Sequence, residues 1–237
     1  MKPADFSLRR FARNFPSSHA RWYVAAKVAS DPLYPAVLDV LRGSTAPLLD
    51  LGCGMGVLSF YLRAHGFENP IHGIDYDPRK IAAAHQVQLT TGTHSLTFAQ
   101  GDARHGLPEH SGSVSILDIL QYFPPDAQAK LLTEAAARIA QNGVLIIRSG
   151  VETPGWRFRF TRWCDRLANR LHWMQALPVH YPTPESLTTT LTAAGLTGSL
   201  RPLYGKTPFN NWLAVFRRDP LPPPEYAPQT SSAAAQP

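Results

Sequence analysis

Cysteine is scarce. Cys53 and Cys164 are the two in 237 residues, too few and too far apart for a disulfide framework or a zinc knuckle. The nine histidines fall into no paired ligand pattern such as His-Glu-x-x-His, so no metal is expected. Hydrophobic residues make up 44% of the chain, yet no apolar run approaches the roughly eighteen residues that a membrane helix needs. The start, Met1-Lys2-Pro3-Ala4-Asp5-Phe6, lacks the apolar stretch of a secretory signal, and there is no internal repeat. These absences argue against a membrane-spanning, disulfide-stapled or metal-built design and favour a soluble protein of the reducing cytoplasm. The length suits one generous α/β domain or two small ones.

Charge is not scarce, but it is lopsided. The formal net charge is +6, and the stretch from Asp219 onward holds Asp219 and Glu225 with no Lys or Arg, which leaves residues 1–218 at +8. A basic body favours acidic partners such as nucleic acid, anionic lipid or an acidic carrier protein.

What is present centres on Leu48-Leu49-Asp50-Leu51-Gly52-Cys53-Gly54-Met55-Gly56. Four residues read as a short buried strand with an acid near its end, and three alternating glycines then break regular structure. Val57 to His65 resumes as a helix stopped at Gly66. Side-chain-free residues let a ligand approach the backbone, and a helix amino end offers unpaired N–H groups to an anion. An ordinary tight strand-to-helix connection has the same look. A dinucleotide fingerprint needs a small residue where Val57 stands.

Preceded by Asp50, the Gly-x-Gly-x-Gly turn resembles motif I of the class I S-adenosylmethionine-dependent methyltransferases. The resemblance implies that Asp50, Gly52, Gly54 and Gly56 surround the methionine portion of that cofactor. Ile71-His72-Gly73-Ile74-Asp75 reads as a second buried strand, followed by Asp77-Pro78 as N-cap and first helical residue. Asp75 lies nineteen residues beyond Gly56, and its two oxygens can accept both hydroxyls of a ribose. The family carries an acid there in that role, and Tyr76 is grouped with it. A third strand over His94–Ala99 leads to Gly101-Asp102-Ala103, a tripeptide that in the family places an acid at the adenine amino group. Asp102 and Ala103 are so assigned.

Ser113–Asp118 reads as a fourth strand. The segment leaving it, Ile119 to Pro125, is the family's motif nearest the substrate, and it puts Asp118 and Tyr122 at the transferable methyl group. Asp118, Tyr122 and His180 are the candidates to orient an acceptor or take its proton, although none has a diagnostic spacing. The Asn/Asp-Pro-Pro-Tyr/Phe motif of many amino-N and adenine methyltransferases is not reproduced by Gln121-Tyr122-Phe123-Pro124, which weakens a nucleic-acid acceptor. A helix from about Asp126 to Ala140, stopped at Asn142-Gly143, and a strand Val144–Ile147 follow.

Residues 155–178 read as a substrate-region insertion. There Trp156, Phe160, Trp163, Cys164, Leu167, Leu171 and Met174 recur at helical spacing, while Arg159, Arg162, Arg166 and Arg170 line another face. Either the apolar stripe packs on the sheet and the arginines are solvated, or the basic face docks an acidic carrier protein or an anionic membrane. Pro184–Ala194 reads as a helix, and Leu196–Tyr204 with Trp212–Arg217 as a closing hairpin. Before the glycine turn, a basic arm (1–19) precedes two helices, one through Arg21–Val28 and one begun by Asp31-Pro32, which either cover a sheet edge or form a lid. The tail 219–237 reads as disordered.

The expected fold is a Rossmann-like, doubly wound, mostly parallel seven-stranded sheet with an antiparallel terminal hairpin, in a domain spanning 20–218. The expected activity is methyl transfer from S-adenosylmethionine to a small-molecule, lipid or carrier-bound acceptor. The rivals are a nicotinamide dehydrogenase, disfavoured by Val57 and Asp102, a methyltransferase-like binding protein without turnover, and a nucleic-acid methyltransferase. Lys27 with Asp31–Tyr34, Leu117–Tyr122 and Thr207–Asn211 also look like small bacterial methyltransferases of lipid or aryl-polyene pathways.

Overall fold

The computed structural model describes residues 6–170 and 180–218. Seven strands form one sheet: β1 (Leu48–Leu51), β2 (Ile71–Asp75), β3 (Leu96–Gln100), β4 (Ser113–Leu117), β5 (Leu145–Gly150), β6 (Leu196–Pro202) and β7 (Asn211–Arg218). Their order is β3-β2-β1-β4-β5-β7-β6. The first five are parallel, and β7 runs antiparallel to both β5 and β6. β1 and β5 are buried at every position, which is why they read as continuous apolar runs rather than alternating ones. The order in which strands are added reverses between the parallel neighbours β1 and β4, so a ligand crevice is expected at the carboxyl ends of those strands.

Helices cover both faces. One core gathers α1 (Leu8–Arg13), α2 (Ser18–Ser30), α3 (Leu33–Leu41), α4 (Val57–Ala64) and α5 (Pro78–Thr91) around Leu48, Ile71 and Ile146. The other packs α6 (Pro125–Ala137) and α8 (Pro184–Ala193) against Leu49, Ile116 and Ile147. The caps expected from sequence are in place. Asp77 accepts the Arg79 N–H at 3.0 Å ahead of Pro78, Asp31 accepts the Leu33 N–H at 3.0 Å, and Thr183 with Ser186 forms a capping box at α8. The basic arm is fastened to the body by Phe11 and Phe15, both buried, with Phe15 edge-on to Phe60. Among the described residues no helix is long and apolar enough to cross a membrane.

Several boundaries differ from the sequence reading. β3 starts at Leu96 rather than His94 because Ser95 turns the chain at φ +57°. α6 ends at Ala137, ahead of Asn142-Gly143, because the Arg138 side chain is drawn to the carbonyls of Leu107 and Pro108 and the next residues bridge to Gly112. β5 runs on through Arg148 to Gly150, since the partly buried carboxylates of Asp31 and Asp118 neutralise the buried Arg148 there.

The largest difference is in α7 (Trp156–Arg170). Over residues 156–167 its buried positions are Phe158 and Thr161, whereas Trp156 (60%), Trp163 (59%) and Leu167 (41%) are exposed. The apolar stripe does not pack on the sheet. Leu171, Met174, the stretch to Leu177-Pro178 and the tail from Asp219 lie outside the described residues.

Candidate active site

All three glycines of the turn take left-handed φ, Gly52 at +74°, Gly54 at +58° and Gly56 at +72°, where an L side chain is strained. Their surroundings differ. A Cβ on Gly52 would stand 2.5 Å from the Ile119 side chain, and one on Gly56 would meet Phe98 and Phe60 at 2.8–3.0 Å. On Gly54 the nearest atom is Lys80 Cδ at 4.0 Å. Two glycines therefore make room for the protein's own core, and Gly54 alone faces open space.

The turn is anchored through β2. The Gly52 and Cys53 N–H groups both donate to the Ile74 carbonyl at 2.8 and 3.0 Å. Gly54 donates to Asp75 Oδ2 at 2.9 Å, and Asp77 N–H donates to Oδ1 at 2.9 Å. Asp75 is only 4% exposed, with Lys80 Nζ 3.9 Å away. A carboxylate has about four acceptor sites, and these two N–H bonds take one on each oxygen. Asp50 lies deeper and accepts the Ser115 hydroxyl at 2.6 Å. Burial pushes its pKa up to about 7, the Ser115 hydrogen bond opposes the shift, and the nearby Asp75 charge adds to it. Burial also raises the Cys53 thiol, which keeps it protonated and inert.

The remaining predicted residues cluster at the same strand ends. Tyr76 is half exposed, with the Lys80 ammonium 5.8 Å from its ring centroid. Asp102 caps the short turn Ala103–His105 and binds the Arg104 guanidinium, which holds its pKa below the usual carboxylate range. Arg104 is itself exposed, and such an ion pair is cheap to exchange for a ligand's donor. Ala103 lines a cavity of about 50 Å³ with Phe123, Ala127 and Leu131. A larger hollow, about 330 Å³, lies at the opposite, amino ends of the strands beside Leu48, His72 and His110.

Asp118 follows β4 at φ +61°. Its carboxylate closes on Arg148 and lies 3.6 Å from Lys27 Nζ, while Arg148 also binds Asp31 at 2.9 Å. Burial, the largest single influence, lowers the Lys27 pKa, but the charge of Asp118 together with those of Tyr23 and Tyr34 outweighs it and leaves the ammonium above its ordinary range. The junction of α2 and α3 is thereby pinned to the ends of β4 and β5.

Next to this cluster, Gln121 accepts from the Ser149 hydroxyl at 3.1 Å and donates to the Asp118 carbonyl at 3.0 Å. Tyr122 lies partly exposed, and burial together with the Asp165 and Asp118 charges raises its phenol to about 12. The His180 backbone is tied to this loop, its N–H donating to Gln121 at 3.3 Å and its carbonyl accepting from Gln128 at 2.6 Å. Asp165 on α7 accepts the Tyr181 hydroxyl and has its pKa raised by burial.

Sequence reasoning missed Arg148, Asp165 and Tyr181. Arg148 left one signal, a lone cation closing an apolar strand opposite Asp118. The other two left none, because they meet only when α7 folds over the crevice.

A seven-stranded sheet with a reversed hairpin and a glycine turn beside its switch point is the architecture of class I S-adenosylmethionine-dependent methyltransferases. The chain belongs to the methyltransferase-domain family, whose model, described as "Methyltransferase domain", matches residues 43–195. It is similar to the trans-aconitate 2-methyltransferase of Streptomyces coelicolor, 31% identical over 162 residues that cover 65% of this chain and 52% of that one. The chain spans about half the length of the curated relatives it matches. In fold it is similar to the magnesium protoporphyrin IX methyltransferase of Synechocystis, solved with bound S-adenosylhomocysteine, at TM-score 0.64 and 18% identity over 89% of this chain and 92% of that one. A cyclase shares the fold at TM-score 0.59 and 16% identity, over 77% of this chain and 80% of that one.

Proposed function

We propose that the protein transfers a methyl group from S-adenosylmethionine to a small-molecule, lipid or carrier-bound acceptor in the cytoplasm. The observation that carries this reading is the pairing of Gly54 with Asp75, in which the Gly54 N–H donates to a strand-end carboxylate and the missing side chain leaves open space beside the two. The bound cofactor supplies a methyl already activated on a sulfonium, so the chain's task is alignment and, where the acceptor needs it, removal of a proton.

The residues fit that group. Asp75 accepts the ribose hydroxyls, with Tyr76 beside it. The turn from Gly52 to Gly56, set in place by the buried Asp50, lies along the methionine portion. Asp102 takes the adenine amino group once Arg104 moves aside, and Ala103 flanks it. Asp118, fixed between Arg148 and Lys27, suits a positively charged group better than it suits proton shuttling. Tyr122 stays protonated at neutral pH and so donates to the acceptor, and His180, on the segment before α8 whose backbone is tied to the Tyr122 loop, is the candidate base.

A second reading, a binding protein with no methyl turnover, is favoured by the cyclase, since one fold carries more than one chemistry. Mass spectrometry of small metabolites and carrier-bound acyl species, with and without the protein and its cofactor, tests the choice. A species gaining one methyl group is expected. Tight cofactor binding with no methylated product from any fraction would favour the second reading.

A further inference from the structure

The stripe on α7 needs an explanation of its own. At 100° per residue, Trp156, Phe160, Trp163 and Leu167 fall within about 60° of one another, and Arg159, Arg162 and Arg166 run along one flank. The helix is held from its other side. Phe158 meets Tyr181 edge-on at 5.2 Å, the Thr161 hydroxyl oxygen accepts the Asn210 N–H at 2.8 Å, and Arg157 donates to the Thr207 carbonyl at 2.7 Å while lying over Tyr204. Two indoles and a leucine remain outward, and Phe160 bridges from Trp163 to Phe209. Lys206, in the loop against which Arg157 packs, is exposed too.

We infer that α7 seats the protein on an anionic lipid surface, with Trp156, Trp163 and Leu167 at the boundary of headgroups and acyl chains and Arg159, Arg162 and Arg166 on the phosphates. Indoles favour that depth because one edge is apolar and the other donates a hydrogen bond. A helix lying in the interface needs both an apolar stripe and flanking cations, and α7 presents both. The charge of +8 over residues 1–218 acts in the same direction. A protein partner also uses tryptophan and arginine; the apolar stripe along the outward face with cations along its flank is the arrangement of a helix lying in a lipid interface. The inner side of α7 carries Asp165, whose charge reaches Tyr122, so the docked helix is also a wall of the crevice. The inference rests on the proposed function only for what the seated protein acts on, an acceptor dissolved in or attached to the bilayer.

The test is sedimentation of the full chain, loaded with S-adenosylhomocysteine, with vesicles of phosphatidylcholine alone or mixed with phosphatidylglycerol. Binding to the mixed vesicles with a blue shift of tryptophan emission is expected, at least about tenfold weaker on the neutral ones. Trp163→Ser with Leu167→Ser should weaken it by about tenfold or more at unchanged charge. Arg162→Glu with Arg166→Glu should do so most at low salt. Both variants should keep the wild-type affinity for S-adenosylhomocysteine, a readout that separates failure of docking from failure of the cofactor site. Three results would overturn the inference: a folded protein that ignores anionic vesicles, binding indifferent to Trp163 and Leu167, or self-association abolished by Trp163→Ser. Capture of an acidic acyl carrier protein without vesicle binding would give the face to a protein instead.

Discussion

Asp118 and Arg148 form an ion pair across neighbouring strand ends, and Asp118 makes it from a left-handed backbone at φ +61°. Asn tolerates that conformation and Ala resists it by about 1 kcal/mol. Loss of the carboxylate leaves Arg148 buried with Asp31 alone. Urea denaturation should therefore rank wild type above Asp118→Asn, and Asp118→Asn above Asp118→Ala by about that amount. Equal stability of the two variants would mean that the backbone is relaxed there.

Removing the other partner is more damaging. Arg148→Leu strands two carboxylates beside Lys27, and breaking a buried pair from one side costs about 3–5 kcal/mol. The α2–α3 junction should loosen with it, visible as faster amide exchange at Lys27 to Tyr34. Unchanged exchange there would show that the junction is held by apolar packing alone.

Asp50 gives the protein a pH dependence of its own. The folded state holds its proton up to about pH 7, whereas an unfolded aspartate releases it near 4. The folded state binds the extra proton across that window, so this group's contribution favours folding most in acid and declines between about pH 4 and 7. The whole change is about 4 kcal/mol at the outside. Asp50→Asn should remove that slope and be relatively more stable above pH 7. A parallel pair of stability curves would place the Asp50 pKa near the ordinary range.

Asn210 meets α7 through its backbone N–H, which donates to the Thr161 hydroxyl, and holds the segment leading into α7 with its side-chain amide, which donates to the Val151 carbonyl at 2.6 Å and to the Thr153 hydroxyl at 2.8 Å. Asn210→Ala should cost about 2–3 kcal/mol through the acceptors left unpaired. Proteolysis should then begin within α7, and cleavage elsewhere first would mean that the helix is secured by other contacts.

Much of this was legible in sequence because local signals agreed with the fold. The glycine turn, the Asp77-Pro78 helix start and the apolar strand runs each specify one local structure, and their succession specifies a parallel sheet with a final hairpin. What was hidden depends on contacts between distant segments. Arg148 looked like the end of its strand because a buried charge is explained only once Asp31 and Asp118 are beside it. The periodicity identified a helix over Trp156–Arg170, with Leu171 and Met174 of the expected stripe outside the described residues, yet periodicity does not say which face meets the sheet. Phe158 and Thr161, outside the stripe, turned out to be the buried side.

The central claim is that Gly54 and Asp75 together hold S-adenosylmethionine, and calorimetry with S-adenosylhomocysteine tests it directly. Gly54→Ala can be compared with Gly66→Ala, whose φ is +83° and whose Cβ has nothing within 4 Å, where that of Gly54 meets only Lys80 Cδ at 4.0 Å, so both carry a similar backbone penalty. The account predicts one site per wild-type chain, a loss of about tenfold or more in both Asp75→Ala and Gly54→Ala, and wild-type affinity in Gly66→Ala. Full affinity in folded Asp75→Ala and Gly54→Ala proteins would contradict it.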